Sequence, residues 1–206
     1  MRVFAILNPV AGASSQRQRI RRLLGQLRAG GVDVELAVTA AAGDATRLAA
    51  AASRHADAVV AIGGDGTVGE VVNGLTGGEV PLLIWPTGTE NLVAKALGFA
   101  ASEDVLISCL QNRCTLTLDV GVANGRSFLV VAGVGFDAEV VHRLAGQRRG
   151  HITHLSYTGP LWRTFWEHRF PALRVVADGA PAWEGRGLLF VGNIGRYALG
   201  LPVIRD

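Results

Sequence analysis

Residues 58–75 constrain the fold more than any other part of this chain. Ala58 to Ile62 is an apolar run, too short for a helix and rich in Val and Ile, which predicts a buried strand. Gly63, Gly64 and Gly66 then surround Asp65, and apolar residues return at Val68, Val71, Val72 and Leu75 with helical spacing. Strand, glycine-rich turn and helix is the arrangement in which backbone N–H groups and a helix N-terminus receive a phosphate. Side chains in the turn would hold the phosphate away from the backbone. The aspartate is out of place in a loop that only binds phosphate, because like charges repel. It belongs there if it orients Mg²⁺ or takes a proton from an attacking hydroxyl. No lysine follows the glycines, so this is not a P-loop.

The flanking sequence repeats the alternation. Residues 3–7, 32–38, 58–62 and 81–85 read as strands, each followed by a turn and a helix. Ser14 or Ser15 caps the first helix, which buries Ile20, Leu23, Leu24 and Leu27 and leaves Arg17, Arg19, Arg21, Arg22 and Arg28 mostly on its wet face. The helix after the glycine turn is expected to run from Gly66 or Thr67 to Asn73 and to stop at Gly74. The pattern predicts an α/β fold: an N-terminal parallel sheet with helices on both faces. Asn8, Thr39, Asp65 and Thr89 fall just past strand C-terminal ends, the edge where open parallel sheets bind ligands.

After about residue 113 the pattern changes. Residues 116–122 and 128–134 read as strands around an Asn124-Gly125 hairpin turn, and 173–177 and 187–191 as two more. The second domain is therefore antiparallel and β-rich, with boundaries at 1–113 and 114–206. Net charge is only +3, yet five arginines and one acid lie between His142 and Phe170, interleaved with Trp162, Phe165 and Trp166. That mixture suits an anionic membrane interface, although a helix packed across the sandwich with its aromatics buried is the more ordinary reading. No nucleic-acid motif is present. Cys109 and Cys114 read as core thiols rather than a disulfide. No apolar run reaches the ~20 residues of a membrane span, and the apolar start is too short for a signal peptide, which predicts a cytoplasmic protein.

The string Gly63-Gly64-Asp65-Gly66-Thr67, continued by Glu70 and Asn73-Gly74-Leu75, resembles the diacylglycerol kinase catalytic-domain family, which includes bacterial lipid kinases and sphingosine kinases. The five-residue core is shared with NAD kinases; the longer string is more specific. Asn8-Pro9-Val10-Ala11-Gly12 matches the family's Asn-Pro-x-x-Gly. Thr39 with Gly43-Asp44-Ala45-Thr46, the Gly88-Thr89-Glu90-Asn91 turn, Asp119-Val120-Gly121 and the segment from Gly133 to Ala138 match further motifs.

The resemblance implies a nucleotide-binding α/β domain followed by a β-sandwich, and an ATP-dependent lipid kinase. Such an enzyme transfers the γ-phosphoryl group of Mg-ATP to a lipid hydroxyl, that of diacylglycerol or a related lipid. ATP would lie against Asn8, Pro9, Val10, Ala11, Gly12, Thr39, Gly64, Asp65, Gly66, Thr67, Val68, Gly69, Glu70 and Thr89. Asp65 is the catalytic candidate, and Asp119 would face the lipid head group. No residue is assigned as a metal ligand. Structural roles compete: Thr67-Val68-Gly69-Glu70 also reads as a capping box, Thr89 and Asn91 as helix caps, and Asp119 as a strand-end hydrogen-bonding residue. Expected partners are a lipid at a membrane surface, with peripheral contact on the inner face through residues 142–170, and no nucleic acid.

Two departures stand out. Leu92 occupies the place where most bacterial members have Asp. The family also runs on well past 206 residues, to a C-terminal Mg²⁺-binding and catalytic segment that nothing here matches. The second domain is therefore expected to be incomplete, and the alternatives are an NAD kinase-like enzyme or a non-catalytic nucleotide- or lipid-binding remnant.

Overall fold

The computed structural model describes residues 1–11, 14–146, 162, 164, 166–167, 170–194, 196–197 and 201–202. The chain divides into two compact units, Met1–Val130 with Asn193–Asp206, and Val131–Gly192.

The first unit is built on four parallel strands: β1 (Arg2–Leu7), β2 (Asp33–Val38), β3 (Ala58–Gly63) and β4 (Leu82–Pro86), in the order β2-β1-β3-β4. Because strand side chains alternate between faces, each strand feeds two cores. Val3, Ala5, Ala58, Val60, Ile62, Leu83 and Trp85 pack under α1 (Ser14–Ala29) and α5 (Glu103–Asn112). Phe4, Ile6, Val59, Ala61 and Ile84 face α2 (Asp44–Ala52), α3 (Asp65–Leu75) and α4 (Leu92–Ala96). The parallel sheet with helices on both faces is thus as the apolar periodicity predicts. Arg19 departs from its expected place on the wet face. Its guanidinium lies 5.6 Å from the centroid of buried Trp85 and donates to the carbonyl of Ala101.

Asp44 secures the start of α2. Its carboxylate accepts the N–H groups of Ala40 and Ala41 and pairs with Arg47 at 3.1 Å. These hydrogen bonds, Ala40's first, hold its pKa below the ordinary 3.8. A lowered folded-state pKa stabilises above the ordinary value, and the contribution is lost as pH falls through the lowered one. Asp44→Asn should therefore lower the urea midpoint at pH 7, and the gap to the parent should narrow at pH 3.

Past α5 the first unit adds a hairpin, β5 (Gly121–Ala123) and β6 (Arg126–Phe128). Asn124 and Gly125, at φ 50° and 74°, make the left-handed two-residue turn that Asn-Gly predicts. The strand is shorter than the expected 116–122, because Leu116 is 73% exposed and has no pairing partner to extend it. Within the first unit, β6 is held to α3 by two side-chain hydrogen bonds between Asn73 and the backbone of Ser127.

In the second unit β7 (Val131–Val134) pairs antiparallel with β10 (Leu189–Gly192), and β8 (Ala172–Ala177) with β9 (Ala180–Arg186). A helix, α6 (Phe136–Gly146), follows β7. The antiparallel character is as expected, whereas β9 carries no apolar alternation of its own and is marked only by the Asp178-Gly179 turn before it. Cys109 and Cys114 are free; Cys109 is half-buried, and Cys114 is exposed rather than in the core. No helix among the described residues is long and apolar enough to cross a membrane.

Candidate nucleotide site

The connections after β1 and β3 leave in opposite directions, since β2 lies on one side of β1 and β4 beyond β3. Such a switch point opens a crevice at the strand C-termini. Three segments expected to meet ligand gather around it.

The first is the turn after β1. Asn8 N–H donates to Ile62 O at 2.9 Å, which continues the sheet, while its Oδ1 accepts from Val10 N–H at 3.0 Å. Its Nδ2 donates to Thr67 Oγ1 at 3.0 Å, so the β1 turn is tied directly to α3. Pro9 and Val10 are exposed and Ala11 half-buried; Gly12 lies outside the described residues.

The second is the glycine turn. Gly64 is the N-cap of α3, so the helix begins at Asp65, earlier than expected. Gly66 is exposed, Gly69 half-buried, and Thr67 and Val68 buried. Val68 packs into the core, so only its backbone faces the turn. The N-terminus of an 11-residue helix thus meets the crevice with the positive end of its dipole and, among the described residues, no side-chain cap on its first-turn N–H groups.

The third is the turn after β4. Gly88 closes against the glycine turn so tightly that a Cβ on it would stand 2.6 Å from Gly64 Cα. Asn91, at φ 50°, locks this turn with two bonds to Gly88: Oδ1 accepts its N–H at 2.9 Å, and Nδ2 donates to its carbonyl at 2.8 Å. Thr89 is half-buried. Thr87 carries no expectation from sequence, yet it is 5% exposed and its hydroxyl has no hydrogen-bond partner among the described residues. Nothing in the sequence distinguishes it from a turn threonine.

Asp65 stands where these turns meet. It is half-buried, and Oδ1 accepts the N–H of Val93, in the first turn of α4, at 3.1 Å. Among the described residues no cluster of three or more acidic, histidine or cysteine side chains could hold a metal. Mg²⁺ is commonly held by one or two carboxylates together with substrate phosphates, and a lone Asp65 beside a phosphate-type turn fits that pattern.

Glu70 does not form the expected capping box with Thr67, because α3 starts too early for that spacing. Its Oε2 instead accepts the N–H of Ala45, at the start of α2, at 3.2 Å, and its carbonyl accepts Thr46 Oγ1 at 2.9 Å. Thr39 is half-buried past the end of β2, its N–H bonded to Leu7 O at 2.9 Å. Glu70 thereby braces the helix that follows the Thr39 turn. Asp119 is exposed, in the irregular segment before β5, with its carbonyl accepting Asn193 Nδ2 at 2.8 Å.

The model of the diacylglycerol kinase catalytic domain matches residues 2–123. A diacylglycerol kinase of Bacillus subtilis (strain 168) is 34% identical over 157 residues, which are 74% of this chain and 52% of the relative. One from Mycobacterium tuberculosis (strain ATCC 25618 / H37Rv) is 34% identical over 189 residues, 86% of this chain and 60% of the relative. A crystal structure of a diacylglycerol kinase from Bacillus anthracis str. Sterne superposes with a TM-score of 0.72 at 28% identity, covering 98% of this chain and 67% of that one. The chain spans between half and three fifths of the length of these two sequence relatives. The match runs through the crevice turns and α3, and on that ground the chain belongs to the diacylglycerol kinase catalytic-domain family.

Proposed function

We propose that this chain carries the nucleotide-binding and lipid-acceptor residues of an ATP-dependent lipid kinase. It transfers the γ-phosphoryl group of Mg-ATP to the hydroxyl of diacylglycerol or a related lipid. The observation that carries this reading is the glycine turn at the N-terminus of α3, set in the β1/β3 crevice with one carboxylate, Asp65, at its rim.

Residues 1–113 hold the nucleotide. Backbone N–H groups at Gly64, Gly66 and Thr67 receive its phosphates, and the turns at Asn8–Gly12, Thr39 and Thr89 line the rest. Phosphoryl transfer asks mainly for positioning and charge neutralisation. Mg²⁺ bound with ATP supplies charge neutralisation on the transferred group, and Asp65 is the carboxylate that would hold it or accept the proton of the lipid hydroxyl. Glu70 acts at one remove, by fixing the start of α2. Residues 114–206 carry the acceptor side, with Asp119 toward the lipid head group.

The protein works at the inner face of the membrane. Trp162 and Trp166 support this: they are 67% and 71% exposed and in edge-to-face contact at 6.1 Å, an aromatic surface suited to a lipid interface. Much of the basic stretch expected at 142–170 lies outside the described residues.

The test is transfer of labelled γ-phosphate from Mg-ATP into dioleoylglycerol in mixed micelles, with NAD as an alternative acceptor. Labelled phosphatidic acid is expected. Absence of labelled lipid overturns the reading of this chain as a lipid kinase, and label in NADP assigns it to the other reaction.

A further inference from the structure

Among the described residues, no strand covers the outer edge of β6 in the hairpin β5–β6. In a hairpin with a two-residue turn, the pair next to the turn exchanges hydrogen bonds and the following pair points its N–H and C=O groups outward. Here Ala123 pairs with Arg126 and Val122 with Ser127, so Ser127 turns both backbone groups away from its partner strand. Asn73 of α3 meets both. Its Oδ1 accepts Ser127 N–H at 2.9 Å and its Nδ2 donates to Ser127 O at 2.9 Å. The same Nδ2 donates to Gly69 O at 2.8 Å, which anchors the amide to its own helix. A primary amide has the donor and acceptor of a peptide unit, so Asn73 stands in for a neighbouring strand at one residue. Thr76 Oγ1 adds a contact to Ser127 Oγ at 3.1 Å.

What this clamp holds extends beyond the hairpin. The strands lead, two residues before Gly121, to Asp119. Asn193 Nδ2 ties the carbonyls of Asp119 and Leu129 together at 2.8 and 3.3 Å, and Leu129 is buried in the α2/α3 core. The helix that begins at the glycine turn is therefore linked through Asn73 to Ser127, by one step of backbone to Phe128, across its pairing with Gly121, and along the chain to Asp119.

We propose that Asn73 is a positioning residue whose amide bridge to Ser127 fixes the Asp119–Gly121 segment relative to the phosphate-turn helix, so that Asp119 and the glycine turn share one frame within the first unit. Its catalytic consequence rests on the lipid kinase reading above; its structural consequence does not.

The experiment compares Asn73→Ala, Asn73→Asp and Ser127→Ala with the parent chain, by amide hydrogen exchange and by transfer to dioleoylglycerol. In Asn73→Ala, protection at residues 119–128 should fall about 10- to 100-fold, while amides at 68–72 stay within about 2-fold. Asn73→Asp keeps the acceptor and loses the donor, so it should fall between. Ser127→Ala keeps both backbone groups and loses only the exposed hydroxyl contact to Thr76, so its protection should stay within about 2-fold of the parent. In transfer, Asn73→Ala should lower kcat and leave KM for ATP within about 2-fold, because the nucleotide turns are untouched. Unchanged exchange at 119–128 overturns the proposal, and so does a loss of protection spread equally over α3. A kcat equal to the parent's overturns the catalytic part. If the parent transfers no phosphate, the kinase reading fails and exchange alone decides this one.

Discussion

Asp65→Asn is expected to lower phosphoryl transfer by about 10²- to 10⁴-fold, the range for removing a positioned acid–base group. Its melting temperature should stay close to the parent's. The two effects separate because Asp65 makes a structural contact besides its proposed chemical role. Its Oδ1 accepts the N–H of Val93 at 3.1 Å and so caps α4 from a neighbouring helix. Asparagine retains an oxygen for that bond but carries no charge to attract Mg²⁺ and is not a base. Asp65→Ala loses both functions. Loss of a side-chain cap costs about 1 kcal/mol, or about 2–4 °C for a chain of this size. Label transfer and a thermal melt on the three proteins check the pair of effects. If Asp65→Asn turns over within about 3-fold of the parent, far inside the range for a lost acid–base group, then Asp65 is a structural cap and the chemistry lies elsewhere.

The same residue shows what local sequence carries. A carboxylate between glycines, after a β-branched run and before a helical apolar stripe, is visible in 18 residues because strand period, turn chemistry and helix period are local properties. The parallel sheet follows from four repeats of that pattern. The tertiary partner of each polar side chain does not. Glu70 sits three residues after Thr67 and looks like the end of a capping box, yet Gly64 starts the helix and the partner is Ala45, 25 residues upstream. Asn73 pairs with Ser127, 54 residues downstream. β9 is marked by the turn before it and not by its own residues. Ala180–Arg186 is exposed almost throughout and contains Pro181 and Gly185, so no alternation marks it. Its pairing with β8 comes from the Asp178-Gly179 turn, with both residues at positive φ.

Gly74 is the case where local reading and packing disagree most, and its substitution should have the larger effect on stability. A glycine near the end of an apolar stripe reads as a helix stop, but α3 continues through it to Leu75. At Gly74 the helix crosses α2: a Cβ there would lie 2.3 Å from Thr46 O, 2.7 Å from Ala49 Cβ and 2.9 Å from Ala50 N. Two of those neighbours are backbone, so they can yield only if α2 moves as a body. Overpacking of this kind costs about 1–3 kcal/mol, occasionally more, whereas alanine's better helix propensity returns only about 1 kcal/mol. Gly74→Ala should therefore be destabilising on balance, and Gly74→Val, with β-branching added, more so. Gly69 is the internal control. It lies in the same helix, and nothing approaches within 4 Å of a Cβ placed there. Gly69→Ala should accordingly raise stability by about 0.5–1 kcal/mol. Opposite signs from two Gly→Ala changes five residues apart in one helix, read as urea midpoints, would locate the α2–α3 contact at Gly74. The sensitive outcome is functional as well. Displacing α2 separates Glu70 from Ala45 and Thr46, and with them the brace behind the Thr39 turn. Gly74→Ala should then weaken ATP binding before it unfolds the chain. Equal stabilisation by both substitutions would mean that the helices do not meet at Gly74 in solution.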